Sequence, residues 1–135
     1  MIRLSFLLLI IYSFAACSSP VDLSVPFNQA DSIAINFFAG DGTPDSVHRV
    51  VLIRDKETIA SLSAFVSASN SQKLCGGNDG NLNIFAMNQV IQKIDFSFYN
   101  QSCMQFSFWY NQQLHHTRLS KEAREFLLEL KNRKP

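Results

Sequence analysis

The chain of 135 residues carries 12 Lys and Arg against 11 Asp and Glu, a formal net charge of +1. That balance gives no electrostatic support to nucleic acid or an anionic membrane surface as a partner, since both are bound chiefly through an excess of Lys and Arg. With 47% hydrophobic residues, the length supports one packed core and excludes two domains.

Arg3 supplies the single positive charge of a short leading segment, and Leu4 to Ala16 follow without a charged residue. A membrane-crossing helix needs roughly 20 apolar residues. The shorter run reads as the hydrophobic region of a signal peptide, residues 1–16, removed on export. Its end, Phe14-Ala15-Ala16-Cys17, resembles the lipobox of bacterial lipoprotein precursors, in which small residues precede a cysteine that is lipidated and becomes the new N-terminus. Ala15, Ala16 and Cys17 fit the pattern, while Phe14 stands where an aliphatic residue is usual. The resemblance implies acyl chains such as palmitate on Cys17 and a membrane partner held through that lipid. With Ser18 after the cysteine, it also implies sorting to the outer membrane of the bacterial cell envelope, the domain on the periplasmic face. The competing reading is an ordinary secretory cut near Ser13 to Ala16, which would leave Cys17 as a thiol.

If lipid consumes Cys17, Cys75 and Cys103 remain as an even pair in an oxidising compartment and are expected to form a disulfide bond. Two buried thiols are the alternative. Neither cysteine has a second Cys or a His at ligand spacing, so no metal is assigned to them.

After Cys17, Pro20 and Pro26 lie among Ser and Asp residues without periodicity. Residues 17–30 read as the lipidated cysteine and a flexible tether, and Ser18 to Pro26 would reach at most about 30 Å. Residues 31–135 form the single domain. Ile33 to Phe38, rich in β-branched and aromatic residues, reads as a strand ending at the turn formers Ala39 to Pro44. A second strand, Val47 to Ile53, is apolar on both parities, which predicts a central strand covered on both faces. Asp55 can cap a helix over Lys56 to Ala68, with Ile59, Leu62, Phe65 and Val66 on one stripe. A polar stretch from Ser67 to Gly80 follows and includes Cys75.

Leu82 to Met87, Val90 to Tyr99 and Cys103 to Asn111 read as a three-strand meander. A three-residue turn at Asn100 to Ser102 places Phe98 opposite Met104, Phe96 opposite Phe106 and Ile94 opposite Phe108. A further strand, Gln113 to Arg118, leads to Ser120 as the N-cap of a helix over Lys121 to Arg133. The order β-β-α-β-β-β-β-α predicts an α+β fold, an antiparallel sheet of five to six strands with two helices on one face.

No catalytic residue, cofactor or metal ligand is assigned. His115 and His116 are adjacent on a strand and point to opposite faces, so they do not easily share a metal unless the strand bulges. Asp41, Asp45 and Asp79 read as turn residues. The strongest surface is the sheet face turned away from the helices, where the alternation puts Asp95, Ser97, Tyr99, Gln105, Ser107 and Trp109. Tyr99, Gln105 and Trp109 form a candidate binding surface for an envelope protein or a glycan. The competing reading is a solvated face whose aromatics stiffen cross-strand pairs.

The expected function is a lipid-anchored, non-enzymatic accessory or binding module of the envelope. The alternative is a periplasmic inhibitor or immunity-type protein that blocks an enzyme through a loop such as Gly40 to Asp45 or Gly76 to Gly80. A small hydrolase using His115 or His116 with a loop Asp is the remaining reading.

Overall fold

Ile33, Ile35 and Phe37 alternate with Ala34 and Asn36, and only the first set is fully buried. The computed structural model describes residues 21–39, 46–67 and 76–134, and in it this segment is strand β1 (Ser32–Phe38). It is followed by β2 (Val47–Ile53), α2 (Lys56–Ser67), β3 (Gly80–Ala86), β4 (Gln89–Ser97), β5 (Gln105–Tyr110), β6 (Gln113–Arg118) and α3 (Lys121–Asn132), and preceded by a short helix, α1 (Ser24–Gln29). The strands form one antiparallel sheet in the order β2-β1-β3-β4-β5-β6. The α+β class and the strand and helix order follow the sequence reading, with α1 as an addition. Cys17, Ser18, Asp41, Asp45 and Cys75 lie outside the described residues.

One core fills the space between the inner face of the sheet and the helices. Ile33, Ile35, Phe37, Leu82, Ile84, Ile94, Phe96, Phe98, Phe106 and Phe108 meet Ile59, Leu62 and Val66 of α2 and Ala123, Leu127 and Leu130 of α3. Each such side chain contributes on the order of 1.5–3 kcal/mol through removal from water. The phenylalanines also meet edge to face, Phe37 lying 5.7 Å from Phe96 and 6.5 Å from Phe98 between ring centroids, the arrangement the ring quadrupoles favour. Phe96 stands opposite Phe106, the register predicted from the aromatic parity.

Two expectations are corrected. The stretch assigned to a tether is folded in its second half: the Asp22 carboxylate accepts the Ser24 amide at 2.8 Å, α1 follows, and Leu23 and Phe27, one helical turn apart, enter the core. Hydrogen bonding to Ser24 holds the Asp22 carboxyl below its ordinary value. The second correction concerns β2, which is an edge strand. Only Ile53 is buried in it, while Val47, Val50 and Leu52 are exposed.

Both tight hairpins turn through paired left-handed residues, Met87-Asn88 between β3 and β4 and Asn111-Gln112 between β5 and β6. Such turns match the right-handed twist of the strands they join. Ser120 caps α3 as expected, its Oγ accepting the Ala123 amide at 3.1 Å.

Asp55 caps α2, its Oδ1 accepting the Thr58 amide at 2.8 Å. Hydrogen bonding with Thr58 holds this exposed carboxyl below its ordinary value of 3.8. A carboxyl depressed on folding adds stability above its unfolded-state value and loses it as pH falls through the folded one. Asp55→Asn caps without titrating. Thermal scans should therefore show wild type ahead of this variant near neutral pH, with the gap closing below about pH 4.

Candidate functional site

The outer face of the sheet carries a row of side chains that crosses all six strands. Strand pairing puts Val50 beside Asn36, Asn36 beside Asn81, Asn81 beside Asp95, Asp95 beside Ser107, and Ser107 beside His116. Most of the row is hydrogen-bonded within itself. Asn36 and Asn83 each donate from Nδ2 to Asn81 Oδ1 at 2.9 Å, and Ser107 Oγ and His116 Nδ1 share a hydrogen bond of 2.9 Å whose direction is set by the imidazole tautomer. A second row runs from Ser97 to Gln105 to Arg118.

Asp95 is the group least provided for. Its Oδ1 is out of solvent with no hydrogen-bond donor, and the Lys93 ammonium lies 3.5 Å away in an ion pair between half-exposed side chains. Such pairs contribute about 0–1 kcal/mol. The adjacency of Ser107 to both Asp95 and His116 is not a nucleophile–base–acid chain, because that chemistry needs the imidazole between serine and carboxylate. Here the serine is in the middle.

Asp95, Ser97, Gln105, Ser107, Trp109, Leu114 and His116 line a depression of about 230 Å³, with Gly77 and Asn78 as a further wall. Beyond Asp95 and Ser107 the strands β4 and β5 no longer pair. The Gln92 amide spans the gap, donating from Nε2 to the Trp109 carbonyl at 3.1 Å and to the Lys93 carbonyl at 3.0 Å. The opening is a cleft of about 380 Å³ whose walls include Val90, Ile91, Phe108 and Trp109. Trp109, 64% exposed, stands between the depression and the cleft and lines both.

Of the three residues read as the binding surface, Trp109 is open. Gln105 belongs to the face but is 3% exposed and forms floor. Tyr99 is not on this face. Strand β4 ends at Ser97, and the Asp79 carboxylate then takes the amides of both Phe98 (2.8 Å) and Tyr99 (3.1 Å). The chain turns there, and Tyr99 stacks on Phe98 with ring centroids 4.5 Å apart. Lys131 of α3 lies over its ring and donates to its hydroxyl. Alternation ceases to predict a side chain's direction where the strand ends.

The remaining candidates separate as follows. His115 and His116 lie on opposite faces, His115 stacking on the inward Phe108 with centroids 5.7 Å apart. Asp79 is buried, so the segment before β3 is pinned. Among the described residues no group of three His, Cys, Asp or Glu side chains is placed to hold a metal, and no helix is long and apolar enough to cross a membrane. Arg124 Nε, from α3, donates to the Phe98 carbonyl at 2.9 Å, so the β4–β5 connection that contains Cys103 is tied to the helix layer.

Sequence reasoning missed Leu114, His116 and Asp95 as parts of one depression. The cross-strand register could have found them, because 95, 107 and 116 fall into one row once Phe96 is paired with Phe106. No family model, no curated protein and no solved structure matches the chain.

Proposed function

We propose that the protein is a lipid-anchored, non-enzymatic binding module of the bacterial envelope that engages its partner through the outer sheet face around Trp109. The observation that carries the binding reading is the exposed indole standing between a depression and a cleft and lining both. A large aromatic held in water by a rigid sheet contributes contact area with little conformational entropy left to lose, the property that makes Trp a frequent centre of binding energy. Val90, Ile91 and Leu114 extend the apolar contact. Ser97 and Gln105 stiffen the floor beneath it.

The address rests on the likeness of Phe14-Ala15-Ala16-Cys17 to a lipobox. Mass spectrometry of the protein purified from membranes should give an N-terminus at Cys17 carrying diacylglycerol, and an unmodified Cys17 would refute the anchor. Loss of Cys17 to lipid also supports a Cys75–Cys103 disulfide. Asp79, four residues after Cys75 in sequence, accepts the amides of Phe98 and Tyr99, four or five residues before Cys103, a contact that favours this pairing.

The binding face is tested by complementation of a deletion strain. Trp109→Arg and Leu114→Arg are expected to fail at undiminished protein level, whereas Val50→Arg, on the same face but at the far edge strand, complements. Equal complementation by all three would refute the assignment of this face.

A further inference from the structure

We infer that the depression between Trp109 and His116 takes one neutral pyranose unit of a glycan; this deepens the reading of the face as a binding surface and rests on it. A pyranose ring has an apolar face of C–H groups and an edge of hydroxyls that both donate and accept. The depression offers both kinds of surface. Trp109 offers an exposed indole at the rim, and its apolar body suits C–H groups. Asp95, Ser107, His116 and Asn78 line the same depression, and between them supply acceptors, a hydroxyl, an imidazole and an amide.

Charge narrows the ligand further. The lining holds one carboxylate, Asp95, and its charge is offset by Lys93 at 3.5 Å, while no Lys or Arg is part of the lining. A phosphate, sulfate or uronate would meet that carboxylate with no bidentate cation to hold it. A neutral hydroxyl meets an acceptor in the Asp95 carboxylate, which lines the depression while its Oδ1 is turned to the Lys93 ammonium. The volume of about 230 Å³ is below the range of roughly 300–1,000 Å³ typical of sites that enclose a drug-sized molecule. One ring of a longer chain fits that space, with the rest of the glycan running over the open sheet.

The site is also set in advance. The Ser107 hydrogen bond fixes the His116 imidazole, and the Asn36, Asn81 and Asn83 network supports the row behind Asp95. Little side-chain ordering is then left to oppose binding.

Trp109 is the only tryptophan in the chain, so intrinsic tryptophan fluorescence reports on the rim it forms between the depression and the cleft. Titration of the purified protein with cellotriose, maltotriose and chitotriose should give a saturable change in emission with at least one of them, and none with inorganic phosphate. Asp95→Ala and His116→Ala should each weaken that binding about tenfold or more, with circular dichroism confirming the fold. Trp109→Ala, followed by calorimetry because the fluorophore is gone, should abolish it. Saturation by phosphate, silence with all three sugars, or sugar binding indifferent to Asp95→Ala would each overturn the inference. If the sugars are silent while Trp109→Arg still fails to complement in cells, the glycan assignment falls and the binding face stands on another partner. If the sugars are silent and Trp109→Arg complements, the face itself is refuted.

Discussion

Gly80→Ala should destabilise the domain by about 3 kcal/mol, at the upper end of what overpacking usually costs. A methyl group there would stand 2.3 Å from the Asn36 carbonyl oxygen and 2.3 Å from Phe96 Cζ. Neither neighbour can yield easily. The Asn36 carbonyl belongs to the backbone of β1, which pairs with β3 along its whole length, and the Phe96 ring is fully buried among aromatics. Gly80 is therefore the place where the Phe96 ring comes up against the β3 backbone, and the absence of a Cβ makes that close approach possible. Denaturant unfolding of Gly80→Ala should show a lowered midpoint with little change in slope. A double variant with Phe96→Leu relieves the ring contact but leaves the carbonyl clash, so it should recover only part of the loss. A Gly80→Ala midpoint equal to wild type would contradict the close approach.

Asp79→Ala is expected to cost a similar amount, about 3 kcal/mol, for a different reason. The Asp79 carboxylate is buried and its Oδ2 accepts the amides of Phe98 and Tyr99 and the Ser97 hydroxyl at 3.3 Å. The Asp79 backbone is used on both sides as well, its amide donating to the Phe96 carbonyl at 2.8 Å and its carbonyl accepting from Phe38 at 2.9 Å. One side chain thus joins the start of β3 to the end of β4 while β1 holds the same residue from the other side. Hydrogen bonds to a charged group contribute about 1.5–3 kcal/mol each, and donors left buried without a partner add their desolvation cost. Asp79→Asn keeps an acceptor oxygen without the charge and should lose roughly half as much. Amide hydrogen exchange provides the specific readout: Phe98 and Tyr99 should lose protection in Asp79→Ala well beyond the loss seen in the inner strands. Uniform loss across the sheet would mean that the carboxylate acts only through global stability.

The parts of this fold that were legible in the sequence are those governed by periodicity inside an element. Ile94, Phe96 and Phe98 share one parity and Phe106 and Phe108 share another, so the pairing of Phe96 with Phe106 followed from the demand that both sets face one core. The stripe of Ile59, Leu62 and Val66 fixed the buried side of α2 in the same way. What periodicity does not encode is an element's neighbours. The apolar residues of β2 on both parities resemble those of a doubly covered strand, yet β2 is an edge whose Val50 and Leu52 look into solvent. The short helix α1 was hidden by Pro26 and its polar neighbours, although Leu23 and Phe27 already stood at the i, i+4 spacing of a helix face. Tyr99 was misplaced because strand alternation was extended past Ser97, where Asp79 bends the chain. The importance of Asp79 itself was invisible, since Asn-Asp-Gly is turn chemistry in any sequence. The candidate site was half legible: its strand positions followed from parity, while its hollow shape depends on the pairing of β4 with β5 lapsing past Asp95, which no residue pattern announces.

The burial of Leu23 and Phe27 also changes the mechanics of an anchored protein. With lipid on Cys17, the span from anchor to folded core runs only from residue 17 to residue 23, at most about 20 Å instead of about 30 Å. Under the proposed lipidation the domain would stay within a thin layer above its leaflet. Tethering at such short range raises the local concentration of membrane-borne or surface-bound partners, while freely diffusing ones gain nothing from it. A ligand displayed on a neighbouring molecule of the same surface is the kind this geometry favours.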